Sequence, residues 1–236
     1  VKRAAAEHGL WYPPDPSSFE MCSIGGNIAT NAGGLCCVKY GVTTDYVLGL
    51  DVVLADGTLV TLGGKRVKDV AGLSLLKLFV GSEGTLGVVT RAILRLVPGQ
   101  QPPATVVATF PSVAVAADAV IALGRTVRAS MVELMDHGSI NAVEDHSPMG
   151  LNRDAGALLL IQSDAPSAAR ADEVAAAVAA CEGAGASEVF ATDDPAEGEM
   201  FVRARRLHFT ALEARGHALP EAGGVPVPQL PALLAA

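Results

Sequence analysis

The residues best suited to chemistry in this chain lie in a run of small side chains, Gly25-Gly26-Asn27-Ile28-Ala29-Thr30-Asn31-Ala32-Gly33-Gly34. Glycine has no Cβ, so backbone N–H groups beside it can approach a ligand closely, and it tolerates positive φ. Asn and Thr between the glycines add short donors and acceptors without filling the space. Such a segment suits the phosphates or the planar ring of a cofactor; the plain alternative is a flexible glycine loop. It is not a Rossmann fingerprint, because proline-rich residues rather than a strand precede it and G-x-G-x-x-G is absent. No G-x-x-x-x-G-K-[ST] occurs either.

A second run, Gly81-Ser82-Glu83-Gly84-Thr85-Leu86-Gly87-Val88, sets three glycines and one carboxylate between a hydrophobic helix and a strand. G-x-S-x-G does not fit it, which excludes a serine-hydrolase elbow; a structural tight turn is the alternative reading. Arg203, Arg205 and Arg206 form a third group, whose i, i+2, i+3 spacing spreads them around a helix rather than along one face. Here the alternative is a solvated basic face. The histidines, His8, His137, His146, His208 and His217, contain no H-E-x-x-H, and none is read as a metal ligand.

Several elements must position these residues. Val1–His8 reads as a helix closed by Gly9, followed by the extended stretch WYPPDPSS. Tyr46–Ala55 and Thr58–Leu62 flank Asp56-Gly57, the signal of a hairpin. Leu73–Phe79 suits a short buried helix and Gly87–Val97 a strand. Pro98-Gly99-Gln100-Gln101-Pro102-Pro103 is the clearest linker, so domains are expected at 1–98 and 104–236. Beyond it the pattern predicts a strand over 104–110, a helix from Ser112 to about Val127 and a strand over 130–136. A polar break to Asp154, a strand over 156–164, a helix from Pro166 to about Cys181 and a strand over 187–192 follow. That is the β-α-β-β-α-β order of a ferredoxin-like unit. Asp194-Pro195-Ala196-Glu197 then opens a long helix towards Arg215, and an extended tail ends in the first turn of a helix.

Composition narrows the function classes. Of 236 residues, 50% are apolar, enough for a sizeable core. With 17 Lys+Arg against 25 Asp+Glu the net charge is −8, a sign that disfavours nucleic acid as a partner. No apolar run approaches the ~18 residues of a membrane span. Cys22, Cys36, Cys37 and Cys181 form no C-x-x-C or disulfide framework, which points to reduced thiols and a cytoplasmic protein. The chain opens on Val1 rather than Met, consistent with a piece of a longer protein.

CSIGGNIATNAGG, then KYG, VLGLDVVLADG, KDVAG and LFVGSEGTLGVVTRAILRL, resemble FAD-dependent oxidoreductases of the vanillyl-alcohol-oxidase/PCMH superfamily. The branch is that of the glycolate oxidase FAD subunit, D-lactate dehydrogenase and D-2-hydroxyglutarate dehydrogenase. The resemblance implies an α+β fold, a PCMH-type FAD-binding subdomain followed by a ferredoxin-like FAD-linked oxidase cap, with non-covalent FAD. It implies that Pro14, Ser23, Ile24, Gly25, Gly26 and Asn27 lie along the flavin and pyrophosphate. Thr30, Asn31, Gly33, Gly34, Tyr40 and Gly41 would line the isoalloxazine and ribityl region, and Glu83, Gly84, Gly87 and Val88 the adenosine half. Arg205 would clamp a substrate carboxylate through its bidentate fork.

The implied reaction is oxidation of a D-2-hydroxy acid to the 2-oxo acid, with hydride passing to flavin. The substrate would be a small 2-hydroxy acid such as glycolate or D-lactate, the assembly a homo- or hetero-oligomer. The alternatives are a non-catalytic flavin-binding subunit of a heteromeric oxidase and an inactive fragment. The family's leading glycine-rich loop and its His-rich motif with the catalytic base, H-x-G-D-G-N-x-H, have no counterpart in this sequence. A Lys and an Asp of some members are Pro220 and Ala222 here.

Overall fold

The computed structural model describes residues 1–219 and 223–235, so Pro220 and Ala222 lie outside the described residues. The chain divides into two compact units, Val1–Gln100 and Gln101–Ala236.

The N-terminal unit runs α1 (Lys2–Ala6), β1 (Leu10–Trp11), α2 (Ile24–Thr30), α3 (Cys37–Tyr40), a 3₁₀ turn (Thr43–Tyr46), β2 (Val47–Val53), β3 (Leu59–Gly63), α4 (Leu75–Phe79), β4 (Val88–Leu94) and β5 (Val97–Pro98). β2 is the centre of an antiparallel sheet of order β3-β2-β4. The hairpin forms where Asp56-Gly57 predicts it, with Val53 opposite Leu59 and Gly57 at a φ of +84° that glycine adopts freely. The expected strand over 87–97 is interrupted after Leu94, and its end, Val97, pairs together with Pro98 against β1 instead, Trp11 opposite Val97. Ile28, Val47, Leu50, Val52 and Val80 make the core.

The expectation of a buried helix at 73–79 is corrected. α4 is a single turn with no side-chain cap and no buried residue, and Leu73 is 86% exposed. Leu76 and Phe79 alone lean on the core. One turn offers too narrow a stripe to bury every leucine of an LSLLKLF run.

The C-terminal unit runs β6 (Ala104–Phe110), α5 (Val113–Thr126), β7 (Met131–Asp136), α6 (His137–His146), β8 (Ala157–Ser163), α7 (Ser167–Ala184), β9 (Glu188–Thr192), α8 (Pro195–Arg215), a 3₁₀ turn (Val227–Gln229) and α9 (Leu230–Leu234). Its antiparallel strands are ordered β7-β8-β6-β9. Counted along this unit that is 2-3-1-4, the ferredoxin-like arrangement. All seven residues of β6 and of β8 are buried. Val106, Ala108 and Phe110 of β6 join Leu159 and Ile161 of β8 in a core with Ala116, Ala119 and Leu123 of α5 and Ala177 and Cys181 of α7.

Two expectations change in this unit. The polar break after β7 contains α6, capped by Asp136, whose carboxylate accepts from Ser139 N at 2.7 Å. Its sequence HGSINAVEDH hides the helical period behind Gly138 and polar residues, yet Ile140, Val143 and Glu144 are buried. Glu144 Oε1 accepts from Met149 N and Leu151 N, which ties the following loop to the helix. The tail ends in the expected helical turn, α9, but a 3₁₀ turn replaces extended chain over Val227–Gln229.

Candidate functional site

In the N-terminal unit the first part of the glycine run, to Thr30, is helix α2, and only 31–34 is loop. Ser23 caps α2 by accepting from Gly26 N at 2.9 Å, and Asn31 closes it in the left-handed region at φ 49°, ψ 50°. Ile28 anchors the helix in the core. Two glycines in its first turn cost roughly 0.5–1 kcal/mol each relative to alanine, so some use other than helix formation keeps them. At Gly25 a Cβ would meet nothing within 4 Å. Ser23, Gly25, Gly26 and Thr30 are all exposed, which leaves the outer edge of α2 open to close approach.

The second glycine run docks on this helix. Gly81 N donates to Ile28 O and Glu83 N to Ala29 O, both at 2.9 Å, so segments far apart in sequence are joined through backbone. Glu83 holds φ 51°, a left-handed conformation that costs a non-glycine residue about 1 kcal/mol or more. Its side chain and Gly84 are exposed, and a Cβ at Gly84 would also meet open space. Asn31 Oδ1 accepts from Thr44 N, which fixes the end of α2 to the 3₁₀ turn.

Other residues expected at the cofactor have internal duties. A Cβ at Gly34 would strike the Asp15 carbonyl, and one at Gly87 would strike Val52 and Val53. Gly41 lies against the Asp45 carboxylate, and Gly33 against Cys37 Sγ. Packing gives each of these glycines a reason to lack a side chain. Pro14 is buried and Ile24 half-buried, and Asn27 is buried with its Nδ2 donating to Cys22 Sγ. Tyr40 stacks edge-on to Trp11 at 5.0 Å between ring centres, and Gln100 Nε2 donates to its hydroxyl. Val88 belongs to the sheet, opposite Val53 and exposed. The structure thus brings together Ser23, Gly25, Gly26, Asn27, Thr30, Asn31, Glu83 and Gly84 around α2, and leaves Val88 at the start of β4 with Gly87 just before it.

In the C-terminal unit the three arginines spread as their spacing requires: Arg203 is exposed, Arg205 and Arg206 half-buried. Arg205 Nε stands 2.8 Å from Glu133 Oε2 on β7, an ion pair whose alignment makes no hydrogen bond at Nε. Burial pushes the Glu133 carboxyl above its ordinary value, against the pull of Arg205 and Arg206. His208, one turn along α8, is held below its usual value by burial and by Arg205, with Asp136 opposing. Sequence reasoning missed Glu133, although a carboxylate inside the apolar strand MVELM was the signal. Among the described residues no three His, Cys, Asp or Glu side chains gather as a metal site, and no helix is long and apolar enough to cross a membrane.

A ferredoxin-like unit following a glycine-edged helix and a small sheet defines a two-unit α+β protein. The chain belongs to the FAD-linked oxidases: residues 100–236 match the family of FAD linked oxidases, C-terminal domain, and residues 1–63 match the FAD binding domain family. FAD is the cofactor that both families name. A glycolate oxidase subunit GlcD of Bacillus subtilis is 43% identical over 89% of this chain and 45% of its own length. A D-lactate dehydrogenase of Archaeoglobus fulgidus is 35% identical over 89% of this chain and 46% of its own length. A D-2-hydroxyglutarate dehydrogenase of Xanthomonas citri is 46% identical over 48% of this chain and 24% of its own. The solved structure of an alkyldihydroxyacetonephosphate synthase shares the fold, with a TM-score of 0.71 at 20% identity over 91% of this chain and 43% of that one. The chain spans about half the length of the Bacillus and Archaeoglobus relatives.

Proposed function

We propose that this chain is part of an FAD-dependent oxidoreductase that converts a small D-2-hydroxy acid, glycolate or D-lactate in class, to the 2-oxo acid. The observation that carries the reading is the open edge of α2, where Gly25 and Gly84 leave room that no side chain of the unit uses. Bound there, FAD would accept the hydride. Gly25 and Gly26 would let backbone approach the cofactor, Ser23 and Thr30 would offer hydroxyls, and the 81–84 loop would hold the helix end in place. Pro14, Ile24, Asn27, Asn31, Gly33, Gly34, Tyr40, Gly41, Gly87 and Val88 would support these contacts rather than all make them.

In the C-terminal unit Arg205 would hold the substrate carboxylate, because a guanidinium matches it with two parallel N–H···O bonds. Fixing the carboxylate orients the hydroxyl carbon, and orientation is worth several kcal/mol of barrier. The acceptor beyond flavin is a further redox partner, reached from a cytoplasmic protein. The name of the Bacillus relative makes it one subunit of an oxidase, and a hetero-oligomer is proposed here on that likeness. The test is to purify the chain, measure flavin by absorbance, and assay glycolate, D-lactate and D-2-hydroxyglutarate with an artificial acceptor, alone and with added partner subunits. Flavin retention with turnover supports the enzyme; flavin without turnover in any combination supports a non-catalytic flavin-binding subunit; neither supports an inactive fragment.

A further inference from the structure

The ion pair on the second sheet has an asymmetry that the clamp reading leaves unused. Glu133 projects from the face of β7 that also carries Met131 and Met135, both buried, and lies opposite Leu160. A lone carboxylate on such a face is costly, and removing the partner of a buried pair is more costly still. Its partner, Arg205, comes from a helix packed tightly on the same sheet, since Gly198 of α8 leaves no room for a Cβ beside Thr105. The nearest approach of the pair is at Nε, 2.8 Å from Glu133 Oε2. Among the described residues the two terminal nitrogens of Arg205 have no hydrogen-bond partner and are not enclosed, while Nε is.

We propose that Glu133 is a positioning residue: its charge, nearest to Nε, holds that side of Arg205 so that the terminal N–H fork is presented, already aimed, to the substrate carboxylate. The proposal rests on Arg205 being the carboxylate clamp. Two consequences follow from the charges. The pair is neutral, so the fork offers direction more than attraction. Loss of Glu133 therefore frees the guanidinium to turn while removing a negative charge that opposes the incoming anion. Orientation suffers and ground-state attraction does not, which separates this role from a purely structural one.

The experiment uses the FAD-loaded protein, with 15N resonances of the arginine Nε–H groups recorded without substrate and steady-state kinetics on glycolate and D-lactate. In Glu133→Gln the Arg205 Nε–H is expected to lose its protection from solvent exchange. In the same variant kcat is expected to fall about 10- to 100-fold, the scale of a misplaced substrate group, with KM unchanged or lower. Arg205→Lys is expected to raise KM. An unchanged Nε–H exchange rate in Glu133→Gln overturns the proposal, as does an unchanged kcat or a rise in KM alone. If Arg205→Lys leaves KM unchanged, the clamp reading falls and the catalytic part of this proposal with it, while the resonance still decides whether Glu133 grips the arginine. Should Glu133→Gln not fold, acidifying the wild-type protein removes the same charge. The Nε–H protection should then be lost as Glu133 protonates, with Asp136, Arg206 and His208 as the neighbouring charged or titratable groups. Protection that persists through that titration overturns it equally.

Discussion

The two sheets of this chain are built on opposite terms. In the C-terminal unit the central strands β6 and β8 are buried at every residue, and helices close over the apolar side. In the N-terminal unit neither edge strand has a buried residue, and Val67, Val70, Leu73 and Leu78 stand in solvent around a five-residue core. One unit spends its hydrophobic side chains on itself. The other keeps a small interior and uses glycine, capping residues and backbone hydrogen bonds to shape a surface. The lesson is that stability and ligand geometry are divided between regions here, so substitutions should separate the two.

The largest effect is expected in the buried unit. Phe110→Ala, at a fully buried position, should destabilise the C-terminal unit by about 3–5 kcal/mol, read by chemical denaturation. Leu73→Ala should change stability by no more than about 0.5 kcal/mol; equal losses at the two sites would erase the contrast.

Within the N-terminal unit two glycines should part company. Gly34→Ala forces a Cβ onto the Asp15 backbone and should cost about 1–3 kcal/mol by overpacking. Gly25→Ala should instead gain roughly 0.5–1 kcal/mol of helix stability, while Gly25→Leu, with room for its Cβ, should lower flavin content at unchanged fold. Yellow protein with full flavin content in Gly25→Leu would show that the open edge of α2 is not the cofactor's.

How legible these features were depends on the kind of signal. The hairpin at Asp56-Gly57 and the ferredoxin-like strand order could be read, because turn chemistry and alternating or continuous apolar runs are local. α2 could not, because glycine-rich composition argues against helix and only the Ser23 and Asn31 caps argue for it. α6 was hidden because Gly138 and its polar residues mask the helical period, with Asp136 as the overlooked cap. Arg205 was readable as a candidate but Glu133 was not, since their pairing joins residues on β7 and α8 that no spacing connects. The glycines of the site were found by type, yet their split into open positions such as Gly25 and packed ones such as Gly34 needs three-dimensional neighbours.

Two sheet carboxylates sharpen the comparison through pH. Asp51 on β2 is bonded by Arg91 and Thr61, which hold its carboxyl below the ordinary value near 3.8. A depressed folded value adds stability above the unfolded value, and that stability is lost as pH falls through the folded one. Glu133 is shifted upward, so its charged form burdens the folded state above its raised value, and acidification through that value relieves it. Asp51→Asn should therefore be less stable than wild type at neutral pH, with the gap closing at strongly acid pH. Glu133→Gln should flatten the opposite trend at milder pH; the same sign from both would refute the assignment.

The smallest effect on the fold is chemical rather than energetic. Burial pushes the Cys181 thiol up to about 11, leaving about a thousandth of it ionised at pH 8. A thiol reagent at that pH should reach Cys22, Cys36 and Cys37, which are only half-buried, and should reach Cys181 only after denaturant is added.

The bonds from Gly81 to Ile28 and from Glu83 to Ala29 have a consequence for the order of assembly. They close a chain segment that contains α3, the hairpin and α4, and long closures are made late because their entropy must be met before their contacts reward it. The hairpin can zip by itself, but the joint between α2 and the 81–84 loop has to wait for β4 to find β2. Any flavin held at α2 would then be captured at the end of the unit's folding, and the appearance of bound-flavin fluorescence during refolding should trail the recovery of strand signal.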